Sequence, residues 1–375
     1  MTSRENALAV LNYENYEKMP VVSFGYWHET LDKWALDGHV TKEDAEDYRI
    51  NGDNGPADRK IMDMLGFDFN WNNGFEANTS LFPVFEKKVL EERPDGSKVI
   101  IDSVGLKVLI KPGIVSIPAE IGTCLTGRDA WEKDYLPRMQ WSQERIDFKK
   151  LCELPPPEDR EIPIAVHCGS LMGTMRNLLG VEEFSYLYVD DEDLFIEIAD
   201  TFAHLSYQAV KTILESGTKF DYAHYWEDIC YKNGPLINPK VFDKLIGPNY
   251  KKTTELLSSY GVNLVSLDCD GWIDSLIPTW INNGVNTMFP IEVGTWDASI
   301  APWREKYGRE LRGVGGMNKV VFAHDYAAID AEIERLKPLI DLGGFIPCPD
   351  HRIAPDAKFE NVQYYCERLR AITRA

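Results

Sequence analysis

Residues 262–293, VNLVSLDCDGWIDSLIPTWINNGVNTMFPIEV, restrict the fold more than any other stretch of the chain. The apolar run over 262–267 is rich in β-branched residues and has the length of a strand covered on both faces. It stops at Asp268-Cys269-Asp270-Gly271. A helical segment expected from Trp272 follows, and a second buried strand ends at Glu292. Strand, helix and strand at this spacing form a parallel α/β unit. In such units chemistry gathers at the carboxyl ends of the strands.

The same alternation runs through the chain. A helix is expected over 4–18 and a first buried strand over 20–28, with an aromatic exit at Tyr26, Trp27 and His28. Helices follow over 41–50, capped by Thr41, and 56–66, with Pro56 in its first turn. A short strand is expected at 67–71. Residues 82–112 alternate with period two, broken at Pro94-Asp95-Gly96 and Gly105, which reads as an inserted hairpin plus a third strand. Residues 128–153 are polar and helical. Strands over 162–166, 219–225, 286–291 and 311–314 then alternate with helices over 192–216, 239–260 and 327–340. A strand near 344–347 and an amphipathic helix over about 358–373 close the chain. About eight strand–helix units predict a (β/α)8 barrel: one domain over 1–375, with an N-terminal helical extension and the insertion. No GxGxxG turn follows the first strand, which argues against a dinucleotide fold.

Composition removes several function classes. The net charge of −20 disfavours nucleic acid, whose phosphates require lysine and arginine. No run approaches the ~20 apolar residues of a membrane span. The N-terminus lacks a signal peptide's apolar core, so a cytoplasmic protein is expected. Seven scattered cysteines without a CxxC pair read as reduced thiols.

In a barrel, the strand exits meet at one mouth. The residues expected there are Tyr26, Trp27, His28, His167, Cys168, His224, Trp226, Glu227, Asp228, Asp268, Asp270, Glu292, Cys348, Asp350 and His351. Two readings of Asp268 and Asp270 stand open. Asp270 could cap the following helix while Asp268 binds a turn amide. Alternatively, as alternate residues at a strand exit, the two share one ligand, most simply a metal ion that relieves their repulsion. Cys348 lies between two prolines after an apolar run and could be a buried packing residue or a thiolate ligand. Two carboxylates and a thiolate with an open position suit Zn2+. Glu227 could pair with Lys232, bind metal or act as a general acid. His167 and His351 could be ligands, proton donors or core histidines. Tyr26, Trp27, His28, Trp226 and Glu292 are the candidates for substrate contact, the aromatics suiting a flat apolar molecule.

Four segments carry a family resemblance: NGPLINPKVFDKLIGPNYKK (233–252), LDCDGWIDSLIPTWINNGVNTMFPIEV (267–293), GVGGMNK (313–319) and GGFIPCPDHRIAPDAKFENVQYY (343–365). Together they resemble the uroporphyrinogen decarboxylase-like superfamily of (β/α)8 barrels, including its cobalamin-dependent methyltransferases. The decarboxylase's arginine-rich N-terminal segment has no counterpart here, since KMPVVSFGYWHETLDKW is aromatic and lacks arginine. In the methyltransferase branch the resemblance implies zinc bound by a His-x-Cys pair and a later Cys. Asp268 and Asp270 stand in the pair's place and Cys348 fits the last ligand. The implied activity moves a methyl group from a methyl ether, an aromatic one given the mouth, to Co(I) of a partner corrinoid protein. Glu227, His167 or His351 would supply acid catalysis. The resemblance also allows a homodimer. The alternatives are a metal-free lyase, a methylcobalamin:thiol methyltransferase and a non-catalytic corrinoid- or tetrapyrrole-binding protein.

Overall fold

The computed structural model describes residues 1–112 and 118–372. The last position of the expected closing helix, 373, lies outside the described residues, as do the two that follow it. In chain order the first strands are β1 (Val22–Ser23), β2 (Phe69–Asn70), β3 (Gly74–Phe75), β4 (Lys88–Glu92), β5 (Lys98–Ile101), β6 (Leu106–Ile110) and β7 (Ala119–Thr123). They are followed by β8 (Ala165–His167), β9 (Tyr222–Trp226), β10 (Cys230–Tyr231), β11 (Gly234–Pro235), β12 (Val265–Asp268), β13 (Thr287–Phe289), β14 (Arg312–Met317) and β15 (Phe345–Pro349).

Seven strands form the central sheet in the order β15-β14-β13-β12-β9-β8-β3, and every neighbouring pair is parallel. Strands β1 and β2 pair with each other, also in parallel. A single bridge, Tyr26 to Ile353, sets the chain beyond β1 against the chain beyond β15. The expectation of eight strands in one closed ladder is therefore met only in part among the described residues. Two residues after β1, Gly25 takes φ +84°, a left-handed conformation that turns the chain off the strand's course.

Helices begin where the sequence offers caps. Thr41 and Asp44 form a capping box ahead of Lys42–Asn51, and Pro56 opens Pro56–Leu65. Such a cap contributes about 1 kcal/mol. The helix Glu192–Glu215 buries Phe195, Ile198, Phe202 and Ile213 along one stripe, each worth roughly 1.5–3 kcal/mol in transfer from water. The first helix spans only Ser3–Leu11, because Tyr13 adopts φ +62° and its hydroxyl donates to the carbonyls of Arg309 and Leu311. The helix expected over 239–260 divides into Pro239–Leu245 and Gly247–Ser259. Pro248, which has no N–H to donate, lies at the start of the second piece. Residues 128–153 form short turns rather than a continuous helix.

The insertion is larger than a hairpin and a third strand. Strands β4 to β7 form a four-stranded antiparallel sheet in sequential order. Thr123 of β7 donates to the Leu178 carbonyl at 2.6 Å, tying this sheet to the helix Gly173–Leu179. Among the described residues no helix is long and apolar enough to cross a membrane.

Candidate metal centre

The exits of β9 and β12 build the site. Trp226 is paired with Asp268 in the ladder, so two residues further on Asp228 and Asp270 extend the same alternation beyond the sheet. One oxygen from each of Asp228, Asp268 and Asp270 lies within 4.8 Å of the others. The Asp270 N–H donates to Asp228 Oδ1 at 3.0 Å. Asp270 Oδ2 lies 3.0 Å from His351 Nε2, while its Oδ1 is buried without a hydrogen-bond partner. The helix expected to start near Trp272 begins at Ile277. Asp270 therefore caps nothing, and of its two readings the shared site is the one with geometric support.

The electrostatics follow from the crowding. Burial, then Asp270 and Asp228, pushes the Asp268 carboxyl well above the usual carboxylate range. Burial, then Asp270, raises Asp228 to about 6. Asp228 also holds φ +47°, an uncommon conformation for a non-glycine residue. Backbone strain of this kind concentrates at functional sites.

Cys348 does not belong to this trio. Among the described residues no set of three ligand atoms that includes its sulfur closes to the same distance. Of the expected group of Asp268, Asp270 and Cys348, the two aspartates fall in the trio, whose third member is Asp228. Cys348 lies within β15, fully buried, whereas Asp228 and Asp270 lie past their strands' ends. Burial pushes its thiol well above the ordinary value, with Asp350 and Asp268 adding to the effect, which disfavours a thiolate.

Glu227 is likewise fully buried, but it is fully served. Its oxygens accept from Ser170 Oγ at 3.0 Å and from the N–H groups of Leu171, Met172 and Gly173 at 2.9, 2.8 and 2.9 Å. Tyr250 Oη donates to it as well. The carboxylate thereby anchors the turn entering the helix Gly173–Leu179, which leaves no oxygen free for an incoming molecule. Glu292 accepts from Gly271 N–H and from Thr295 Oγ1, steadying the turn after Asp270. Asp350 accepts from the N–H groups of Gly294 and Lys319.

Of the other expected residues, Cys168 and His224 are buried, and the rest divide between two recesses. His167 and Trp226 line one of about 430 Å³ with Glu76, Asn78, Thr79, Ser80, Ser170 and Thr174. Tyr26, Trp27 and His28 line another with Tyr48, Asp53 and Arg352. The Tyr26 side chain belongs to the core at 1% exposure, and His28 opens the helix His28–Leu36 rather than ending a strand. Trp27 stacks on His351 at 5.3 Å between centroids, linking the second recess to the acids.

Two cations beside the acids were not singled out from the sequence. Arg176 lies 4.0 Å from Asp228. The Lys319 ammonium is lowered by burial while Asp350, Glu292 and Asp270 pull it upward. Neither carries a local sequence signal, since helix and loop positions distant in the chain bring them to the acids.

This donor set fits a divalent cation. Three carboxylates supply oxygen ligands, and the His351 imidazole is hydrogen-bonded to one of them. The unpartnered Asp270 oxygen and the like-charge crowding are what an ion would relieve. No protein-family model and no curated protein matches the chain. Among solved structures, a methyltransferase from Methanosarcina mazei is similar at 17% identity and TM-score 0.59, over 98% of each chain. A B12-independent methionine synthase from Shewanella sp. W3-18-1 is similar at 11% identity and TM-score 0.49, over 93% of this chain and 97% of that one. The likeness to the Methanosarcina protein is one of fold.

Proposed function

We propose that the chain is a methyltransferase. A divalent cation, zinc in the first instance, would be held by Asp228, Asp268 and Asp270 with His351 beside them. The methyl group would come from a methyl ether, aromatic in the reading of Trp27 and Trp226, and pass to Co(I) of a separate corrinoid protein. The observation that supports this most is the carboxylate trio with its unpartnered Asp270 oxygen at the carboxyl ends of parallel strands. The sequence resemblance and the fold shared with a methyltransferase point the same way, and the corrinoid partner and any homodimer rest on the resemblance.

A bound cation would supply Lewis acidity toward an ether oxygen, which would ease departure of a phenolate whose free acid has a pKa of about 10. The chain's own groups do the remaining work. The three carboxylates would hold the ion and offset its charge. His351, hydrogen-bonded to Asp270, is oriented by Trp27 on its face and Phe24 at its edge and stands ready to pass a proton to the departing oxygen. Lys319 balances the surplus negative charge.

The test is elemental analysis of the purified protein, followed by phenol release from methoxyarenes with a reduced corrinoid protein. Stoichiometric metal and chelator-sensitive demethylation are expected. Full activity after complete metal removal would refute the cation's role. Carbon dioxide release from a carboxylated substrate by metal-free protein would establish the lyase instead.

A further inference from the structure

The recess lined by His167 and Trp226 has a one-sided chemistry. Glu76 brings a carboxylate that is exposed at its rim and has no salt bridge among the described residues. Thr79, Ser80, Ser170 and Thr174 bring hydroxyls, and Trp226 an indole, while among the described residues no lysine or arginine lines the space. Arg176 does not line the recess but lies over the Trp226 ring, 5.9 Å from its centroid, and is engaged with Asn177 at 3.0 Å and faces Asp228. His167 places Nε2 3.2 Å from the Asn72 carbonyl, so that nitrogen carries the proton and Nδ1 is left as an acceptor. Burial lowers its pKa, which keeps the ring from presenting a competing positive charge. A pocket of acceptors, one carboxylate and an indole selects a positively charged guest, because the indole face attracts cations as the carboxylate does.

We infer that this recess binds an organic ammonium group, and that the methyl donor carries such a group at the end away from the reacting methyl. Trp226 of the recess and Asp228 of the trio are joined by the short run at the end of β9. The assignment to the donor rests on the methyl-transfer reading; the binding of an ammonium group does not.

Choline and its uncharged isostere 3,3-dimethylbutan-1-ol are the probes, with benzoate as the anion, titrated by calorimetry into metal-loaded protein. Choline is expected to bind roughly tenfold more tightly than the isostere, and benzoate not to bind. Glu76→Gln, an exposed position whose amide preserves shape, is expected to erase that preference, and Trp226→Leu to weaken choline. The preference is expected to persist in Asp270→Asn, which separates the recess from the trio. Equal binding of choline and the isostere, a preference that survives Glu76→Gln, or one lost in Asp270→Asn would overturn the inference. Binding is read without turnover, so a failed demethylation assay leaves this result standing, and the reverse also holds.

Discussion

Glu227 and Asp228 are neighbours in sequence and opposites in circumstance. Glu227 faces the helix Gly173–Leu179 and receives five hydrogen bonds. Asp228 faces Asp268 and Asp270 and accepts one backbone N–H, with the Arg176 guanidinium 4.0 Å away. A buried carboxylate with a full set of donors is part of the scaffold. Carboxylates left short of donors and crowded together call for a cation or a proton. Glu227 is fully buried and Asp228 partly exposed, and the count of donors separates the two roles.

Removing a member of the trio breaks the comparison on its functional side. Asp270→Asn is expected to lower methyl transfer and metal content by at least about 100-fold while leaving the fold intact, read by metal analysis and thermal melting. Undiminished metal content in that variant would show that the trio is not the centre.

Glu227→Ala breaks it on the structural side. Five donors lose their acceptor, and the cost is expected at roughly 3–5 kcal/mol in denaturant unfolding. Glu227→Gln, which keeps one acceptor oxygen, is expected to recover part of that stability. A fully stable Glu227→Ala protein with lost activity would instead mark Glu227 as a catalytic residue.

The pH dependence sharpens the contrast. Asp228 binds its proton more tightly when folded, with its pKa raised from 3.8 to about 6. Between those values the folded state holds more protons than the unfolded one, so stability falls as pH rises through the window. Metal-free wild type is expected to lose on the order of 2 kcal/mol across it relative to Asp228→Asn. The difference between the two proteins cancels other raised buried acids, Asp58 and Glu227 among them. Bound metal is expected to flatten the trend, and a difference of the opposite sign would contradict the crowding.

The smallest effect is expected at Cys348. Cys348→Ser is expected to cost about 1–2 kcal/mol through a buried hydroxyl and to leave metal content unchanged. Loss of metal in that variant would show that the thiol joins the ion on binding.

Much of the architecture was legible because it is written locally. The caps at Thr41 and Pro56, the apolar strand cores of β9, β12 and β14, and the stripe of Glu192–Glu215 follow from period, propensity and capping over a few residues. Asp268 and Asp270 were legible for the same reason, since they interrupt an apolar run at a strand exit. Asp228 was visible at its exit, but the sequence offered no ground for preferring it to Glu227. That choice depends on the register Trp226 opposite Asp268, which no local pattern encodes.

The sequence by itself determined a parallel α/β chain with acidic strand exits, because strand length, helical period and turn chemistry act between near neighbours. Only the tertiary structure decided which acid joins Asp268 and Asp270, and that β1 and β2 form a sheet of their own. Those outcomes depend on strand register and on the supply of donors from distant segments. Both are settled when elements pack against one another.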